Sequence, residues 1–237
     1  RGIKNIVVHI HEGGVTTGGG LNGCTGVSGA IVDIVERLDA QVDAVISGHT
    51  HQAYNCVIDG RPVTSAASFG RLVTDMDITI DRRTKLITGI TANNVVVTRD
   101  VAADGPITTL IDRYRTLADP LAKRIIGRIT ADITRTTNLA GESALGDVIA
   151  DSQHAATAPA GLGGAQVAFM NPGGIRTDLV FAASGAEGDG NVTYEEAFTV
   201  QPFGNSLVTM TLTGAQLELM LEQQFCGINA VAPRVLQ

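Results

Sequence analysis

The spacing of apolar residues at the start of the chain changes from strand-like to helix-like and back. The run 3–10 (IKNIVVHI) predicts a buried strand, and 42–47 (VDAVIS) predicts a second one. Between them, 28–39 has helical periodicity, with Ser28 as its candidate N-cap. The apolar stripe of that helix consists of Ile31, Ile34, Val35 and Leu38. This order predicts a βαβ unit with a right-handed crossover.

The segment 57–98 has a strand-like pattern almost throughout. Asp59-Gly60 predicts a hairpin turn, residues 72–80 alternate between apolar and polar, and 86–97 predicts a further strand. The polar stretch 100–106 interrupts the pattern, and a helix is predicted from about 107 to 118.

We place the domain boundary at this break. The predicted domains are 1–103, a linker helix at 104–122, and 123–237. In the last part the pattern predicts strands near 125–133, 165–171 and 206–212, and helices at 142–156 and from 214. Thr213 and Gln216 form a candidate capping box for the last helix. The fold class expected from this alternation is α/β.

Composition and charge exclude two classes of function from the expectation. Of the 237 residues, 44% are hydrophobic, and the formal net charge is −7. No basic cluster is long enough for a nucleic-acid groove, so a polymeric nucleic acid is not the expected partner. No apolar run reaches the roughly 18 residues of a membrane span.

The histidines are the first residues whose pattern indicates a chemical role. His9, His11, His49 and His51 form two His-x-His pairs, one at the end of each predicted parallel strand. Neutral imidazole is a common metal ligand, and loops at the carboxyl ends of neighbouring strands meet at one edge of the sheet. We expect His9 to be a buried strand residue and His11 to be the ligand of its pair.

Three cysteines leave two alternatives. Cys24, Cys56 and Cys226 lack CxxC spacing, so they are either buried thiols or include a Cys24–Cys56 disulfide. The disulfide would imply export from the cytosol.

Several motifs resemble a known family. Gly48-His49-Thr50-His51 after a buried strand, and HEGG with His11, resemble the last motifs of calcineurin-like metallophosphoesterases. GESALGDVIAD (141–151), NPGGIR (171–176) and QPFGNSLVTMTLTGAQL (201–217) resemble the C-terminal domain of the 5'-nucleotidase family. The resemblance implies the later part of a four-layer α/β/β/α metallophosphoesterase domain, a linker helix, and a partial α/β C-terminal domain.

The resemblance also implies a metal centre. His11 and His49 would bind one divalent ion and His51 a second, with zinc or manganese as the expected metals. Two such ions activate water and neutralise a transferring phosphoryl group.

The resemblance assigns substrate contact to five residues: Arg135, Asn171, Arg176, Phe203 and Asn205. Arg176 would bind a phosphate or carboxylate group, and Phe203 would stack on the nucleobase. Arg135 would be a second arginine in contact with the substrate. A further family arginine falls on Leu139 here, so we expect that contact to be absent.

Other family motifs do not occur in this chain. The DxH motif, the bridging Asp and the NHE-type motif with its catalytic His–Asp pair do not precede His11, and the GGDG[FY] segment is also missing. We therefore expect a fragment with an incomplete metal site and no catalytic residue of its own. Such a chain would be inactive alone, and the remainder of the same protein would be a natural partner.

The full-length parent is expected to be a secreted or cell-wall enzyme that hydrolyses nucleoside monophosphates. Activity on 2',3'-cyclic nucleotides or UDP-sugars is the alternative within the family. A non-catalytic nucleotide- or metal-binding module, including a pseudoenzyme, is the alternative outside it. The family resemblance also implies rotation between the two domains about the helix near 107–118.

Overall fold

The computed structural model describes residues 3–229 and 235–237. The chain divides into two compact units, Arg1–Ala103 and Asp104–Gln237. Both units combine strands with helices, which confirms the α/β class. Within the described ranges, no helix combines the length and apolar character that crossing a membrane requires.

A four-stranded sheet forms the centre of the first unit. Its strands are β1 (Val7–His9), β2 (Ala44–Ile46), β3 (Ala53–Ile58) and β4 (Arg61–Ala66), in the order β1-β2-β4-β3. The pairs β1–β2 and β2–β4 are parallel, whereas β3 is antiparallel to β4. Helix α1 (Ala30–Glu36) joins β1 to β2, so the predicted strand–helix–strand order is confirmed.

Helix α1 is shorter than predicted, and Ser28 is not its N-cap. Ser28 instead exchanges backbone hydrogen bonds with Val15, at 3.0 and 2.9 Å. Gly29 is the N-cap, with φ 105° and ψ 177°, a conformation that favours glycine. The helix therefore begins at Ala30, one residue later than a Ser28 cap would place it.

The rest of the first unit is a long hairpin and a small core. Strands β5 (Leu72–Ile80) and β6 (Ile87–Val96) pair in antiparallel register, as expected. Asp59 and Gly60 form the turn between β3 and β4 with φ 48° and 74°, which confirms that prediction. The buried core consists of Ile31, Val35, Val42, Val45, Tyr54, Cys56, Ile58 and Val63.

The second unit contains longer helices. Its elements are α2 (Gly105–Ala122), β7 (Ile125–Arg128), α3 (Ala144–Thr157), β8 (Asn191–Thr193), α4 (Tyr194–Val200) and α5 (Gly214–Glu222). The side chain of Asp104 caps α2, and the predicted Thr213–Gln216 capping box begins α5. The core of this unit consists of Leu145, Ile149, Met170, Ile175 and Val200.

Two predicted strands, 165–171 and 206–212, are wrong. Neither forms a β-ladder in the part of the chain that the structure describes. A strand needs a neighbour for its backbone donors and acceptors, and alternation alone does not supply one. At Met170 a distant residue meets this need, because Met170 exchanges two backbone hydrogen bonds with Gln237 at 2.9 and 2.8 Å.

Candidate functional site

The ends of β1 and β2 bring two histidines together. His11 follows β1 and His49 follows β2, and the Nε2 atom of His11 lies 3.2 Å from the Nδ1 atom of His49. Their rings meet edge to face, with centroids 5.0 Å apart, and both residues are exposed. The parallel pairing of β1 with β2 thus places these residues at one sheet edge.

Backbone contacts hold the two histidine loops close together. Gly48 N donates to Glu12 O at 3.0 Å, and Thr50 Oγ1 donates to Gly14 O at 2.7 Å. A Cβ atom on Gly13 would lie 2.1 Å from Gly48 O, so only glycine allows this approach. This role of Gly13 was not predicted, and its available signal in the sequence was the Gly13-Gly14 pair of HEGG.

A buried network of hydrogen bonds connects the loop that follows β1 to the sheet. The Tyr54 hydroxyl accepts from Gly14 N at 3.2 Å and lies 2.6 Å from Ser47 Oγ. Ser47 Oγ donates to Thr64 O at 2.8 Å, so the Tyr54 hydroxyl is the donor in its contact with Ser47. Tyr54 is completely buried, and it therefore connects the loop rigidly to the sheet.

The glycine-rich loop is also tied covalently. Cys24 and Cys56 form a disulfide with their Cα atoms 5.0 Å apart, which fastens the loop to β3. Asn22 adds a second tie, since it exchanges hydrogen bonds with the backbone of Asn94 on β6. Cys226 is an exposed free thiol.

His51 lies in a different environment from the other pair. Its backbone is left-handed, with φ 57°, and its ring meets the Phe69 ring edge to face at a centroid distance of 5.4 Å. Phe69 is also left-handed, with φ 61°, and is 81% exposed.

His9 is exposed as well, so the expectation of a buried strand residue is wrong. His9 and Val7 share a face of β1 that other residues leave uncovered.

The His11–His49 pair fits two ligands of one metal ion. Imidazole nitrogens bound tetrahedrally to zinc at roughly 2.0–2.1 Å lie about 3.3–3.4 Å from each other. The observed 3.2 Å separation is a hydrogen-bond distance between the two rings, and it is close to that geometry. Among the described residues, however, no group of three or more His, Cys, Asp or Glu side chains could hold an ion. Two imidazoles by themselves do not complete a coordination shell.

Arg176 and Phe203 come together in the second unit. NPGGIR forms a short 3-10 turn at Pro172–Gly174, after which Arg176 N donates to Val200 O at 2.8 Å. That bond holds the backbone of Arg176 beside Val200, the last residue of α4. Phe203 follows Val200 closely in the chain. The Arg176 guanidinium lies 5.9 Å from the centroid of the Phe203 ring, which is half exposed.

Arg135 joins the same cluster. Its Nη1 donates to the carbonyl oxygen of Arg176 at 2.9 Å. Its backbone N and Nε both donate to Asp178 Oδ1, at 2.8 and 3.2 Å. Asp178 was not among the residues predicted from the sequence, and its available signal was an acidic residue two positions after Arg176. Arg135, Arg176 and Phe203 therefore form one cluster, in which Asp178 offsets part of the positive charge. Guanidinium groups and an exposed aromatic ring are suited to an anion attached to a flat apolar group.

The remaining substrate candidates are less closely joined to this cluster. Asn171 is the exposed residue that begins the 3-10 turn. Asn205 lies two residues after Phe203 in an exposed segment, and its side chain makes no hydrogen bond with the residues that the structure describes. Leu139 is fully exposed, with no charge to offer.

Known proteins resemble both units. Residues 125–235 match the family model of the 5'-nucleotidase C-terminal domain. Endonuclease YhcR of Bacillus subtilis is 28% identical over 229 residues, which cover 96% of this chain and 17% of that protein. Cell wall protein Lmo0130 of Listeria monocytogenes is 29% identical over 239 residues, with coverages of 95% and 30%.

The fold also has a solved counterpart. The structure of a 5'-nucleotidase precursor from Thermus thermophilus superposes with a TM-score of 0.56 at 24% identity, covering 84% of this chain and 41% of that one. This chain thus spans less than a third of the length of the two curated relatives. Residues 125–235 therefore belong to the family of 5'-nucleotidase C-terminal domains, and the chain shares the fold of a solved 5'-nucleotidase precursor.

Proposed function

We propose that this chain supplies the nucleotide-binding surface and part of the metal centre of a secreted phosphoesterase that releases phosphate from nucleotides. The observation that carries the proposal is the cluster of Arg135, Arg176 and Phe203. Its family consists of nucleotide phosphoesterases that in general depend on metal ions.

Each side chain of the cluster has a distinct task in this proposal. The Arg176 guanidinium binds the anionic group of the substrate with two parallel hydrogen bonds. Phe203 offers its exposed face to the nucleobase, and stacking on an aromatic ring contributes about 1–3 kcal/mol per base. Asn171 and Asn205 are polar candidates for contacts with the base or the ribose.

In the first unit, His11 and His49 are the proposed ligands of one divalent ion, and His51 is the proposed ligand of a second. Zinc or manganese, when bound, would supply the Lewis acidity that activates water and neutralises phosphoryl charge. The described residues offer no complete shell, so we expect the chain to be inactive alone. The catalytic His–Asp pair expected for the family would then come from other residues of the whole protein.

Export is supported by two observations. The Cys24–Cys56 disulfide is of a kind that persists in oxidising compartments, and one relative is named as a cell wall protein. We therefore propose an extracellular or cell-wall location.

Calorimetric titration of the chain with AMP tests the nucleotide-binding part. We expect Arg176→Ala to weaken AMP binding at least tenfold, since charge-assisted hydrogen bonds contribute roughly 1.5–3 kcal/mol. Phe203→Ala should weaken the binding of AMP and leave that of inorganic phosphate unchanged. The matched control is Arg115→Ala, which removes an exposed arginine of α2 paired with Asp112. Equal affinities for all variants would refute the assigned surface.

Phosphate release from AMP in the presence of Zn²⁺ or Mn²⁺ tests the second part. We expect no enzyme-like turnover by the chain, and rapid metal-dependent turnover would contradict the incomplete centre.

Nucleotide binding without turnover in the whole protein would favour the second candidate function, a non-catalytic nucleotide-binding module. Comparing AMP with 2',3'-cyclic AMP and a UDP-sugar in the whole protein separates the enzymatic alternatives.

A further inference from the structure

Asp178 places a carboxylate inside a surface that we assign to an anion. Its Oδ1 atom accepts hydrogen bonds from N and Nε of Arg135 at 2.8 and 3.2 Å. The same guanidinium donates through Nη1 to Arg176 O at 2.9 Å. Three hydrogen bonds thus hold Arg135: one is donated by its backbone N, and two are donated by its guanidinium through Nε and Nη1. Its Nη2 atom makes no hydrogen bond with any residue that the structure describes.

The backbone brings Asp178 and Arg135 together without help from their side chains. Ile133 and Leu179 exchange backbone hydrogen bonds at 2.9 and 3.0 Å, which places the two chain segments side by side. The Asp178 side chain is 38% exposed and that of Arg135 is 47% exposed. An ion pair this exposed contributes little to stability, generally under about 1 kcal/mol. The ion pair with Arg135 is therefore a weak reason for a carboxylate at this position, and the structural part of its role is the bond that it accepts from the backbone N of Arg135.

We propose that Asp178 is a positioning residue that holds the Arg135 guanidinium ready to bind the phosphate of a nucleotide through Nη2. This inference rests on the proposed function of the second unit. An arginine side chain carries about 2 kcal/mol of rotamer entropy, and an arginine held in place loses less of it when the ligand binds. Asp178 acts through Arg135 and does not itself touch the nucleotide.

The sign of one measurement separates this role from a simple charge effect. Removing a carboxylate near an anion site should strengthen anion binding if only Coulomb repulsion acts. Loss of a positioning residue should weaken it. We expect Asp178→Ala to lower AMP affinity three- to tenfold in calorimetric titrations, and Asp178→Asn to have a smaller effect because its amide oxygen still accepts from Arg135.

A double-mutant cycle tests whether Asp178 acts through Arg135. We expect Arg135→Ala to weaken AMP binding five- to thirtyfold. Adding Asp178→Ala to that variant should cause a much smaller loss than Asp178→Ala causes alone, since only the bond from the backbone N of residue 135 then remains to be lost. Tighter AMP binding by Asp178→Ala alone would overturn the proposal, and so would an equal loss with and without Arg135.

A readout without nucleotide separates this proposal from the proposed function. In nuclear magnetic resonance spectra of the chain, the Nε–H signal of Arg135 should be protected from exchange with water. That protection should disappear in Asp178→Ala and persist in Asp178→Asn, with unchanged far-UV circular dichroism in both. If the native chain does not bind AMP, the proposed function fails. If Nε–H protection is the same with and without the carboxylate, the positioning role fails.

Discussion

Replacement of Gly13 by alanine should separate the two histidine loops. The new Cβ atom would lie 2.1 Å from Gly48 O and 2.6 Å from Thr50 Oγ1. Because Gly48 O is a backbone atom, no side-chain rotation can relieve the overlap. Overpacking costs about 1–3 kcal/mol. Losing the bonds Gly48 N–Glu12 O and Thr50 Oγ1–Gly14 O adds about 1 kcal/mol each. We therefore expect the free energy of unfolding to fall by roughly 3–5 kcal/mol.

Gly18 provides a matched control in the same loop. A Cβ atom there would meet no atom within 4 Å, so Gly18→Ala should change stability by less than about 1 kcal/mol. Urea unfolding followed by circular dichroism measures both variants. The imidazole signals of His11 and His49 should also lose their mutual contact in Gly13→Ala. Equal stabilities and unchanged imidazole signals in the two variants would refute the steric argument.

Two further predictions concern the core and the covalent tie of the first unit. Thr64 is completely buried, and its hydroxyl has no hydrogen-bond partner among the described residues, so Thr64→Val should raise the free energy of unfolding by about 1 kcal/mol. Thr64→Ser keeps the hydroxyl and loses a methyl group, so it should lower that free energy by about 1 kcal/mol, and a loss of stability in the valine variant would contradict the reasoning. Replacing Cys24 and Cys56 together by serine should cost about 3–4 kcal/mol in urea unfolding, because the disulfide closes a long loop. A reductant should destabilise the native chain alone, and the same response in the serine variant would exclude the disulfide as its cause.

Local signals in the sequence were sufficient for several elements. Asp59-Gly60 specified a turn because both positions need positive φ, and Thr213–Gln216 specified the start of α5 through a capping box. The start of α1 was misplaced because Ser28 pairs with Val15, a contact between segments that periodicity does not contain. Segment 165–171 was wrong for a similar reason. Alternation describes the two faces of a strand, whereas only the fold decides whether a neighbour completes its ladder.

The same distinction applies to the candidate site. The motif residues Arg176 and Phe203 could be chosen from the sequence, and the structure places them 5.9 Å apart. The residue that contacts Arg135, the third member of the cluster, could not be chosen in this way. Asp178 contacts Arg135 across 43 positions of the chain, and the pairing of Ile133 with Leu179 creates that contact. Motifs therefore identified groups suited to touch a ligand, and tertiary structure identified the group that orients one of them.

The histidine loops show how the fold prepares a site before any ligand arrives. His49 and His51 both adopt left-handed backbone conformations, with φ 66° and 57°. Such conformations cost about 1–3 kcal/mol each in a non-glycine residue and persist only where surrounding contacts enforce them. Here Thr50, between the two histidines, is held by its bond to Gly14 O, and the preceding Gly48 is held by Glu12 O. The 3.2 Å approach of His11 to His49 is thus a product of backbone contacts between two loops. Preorganisation of this kind lowers the entropic cost of binding, which is the advantage that a strained ligand loop would give to a metal centre.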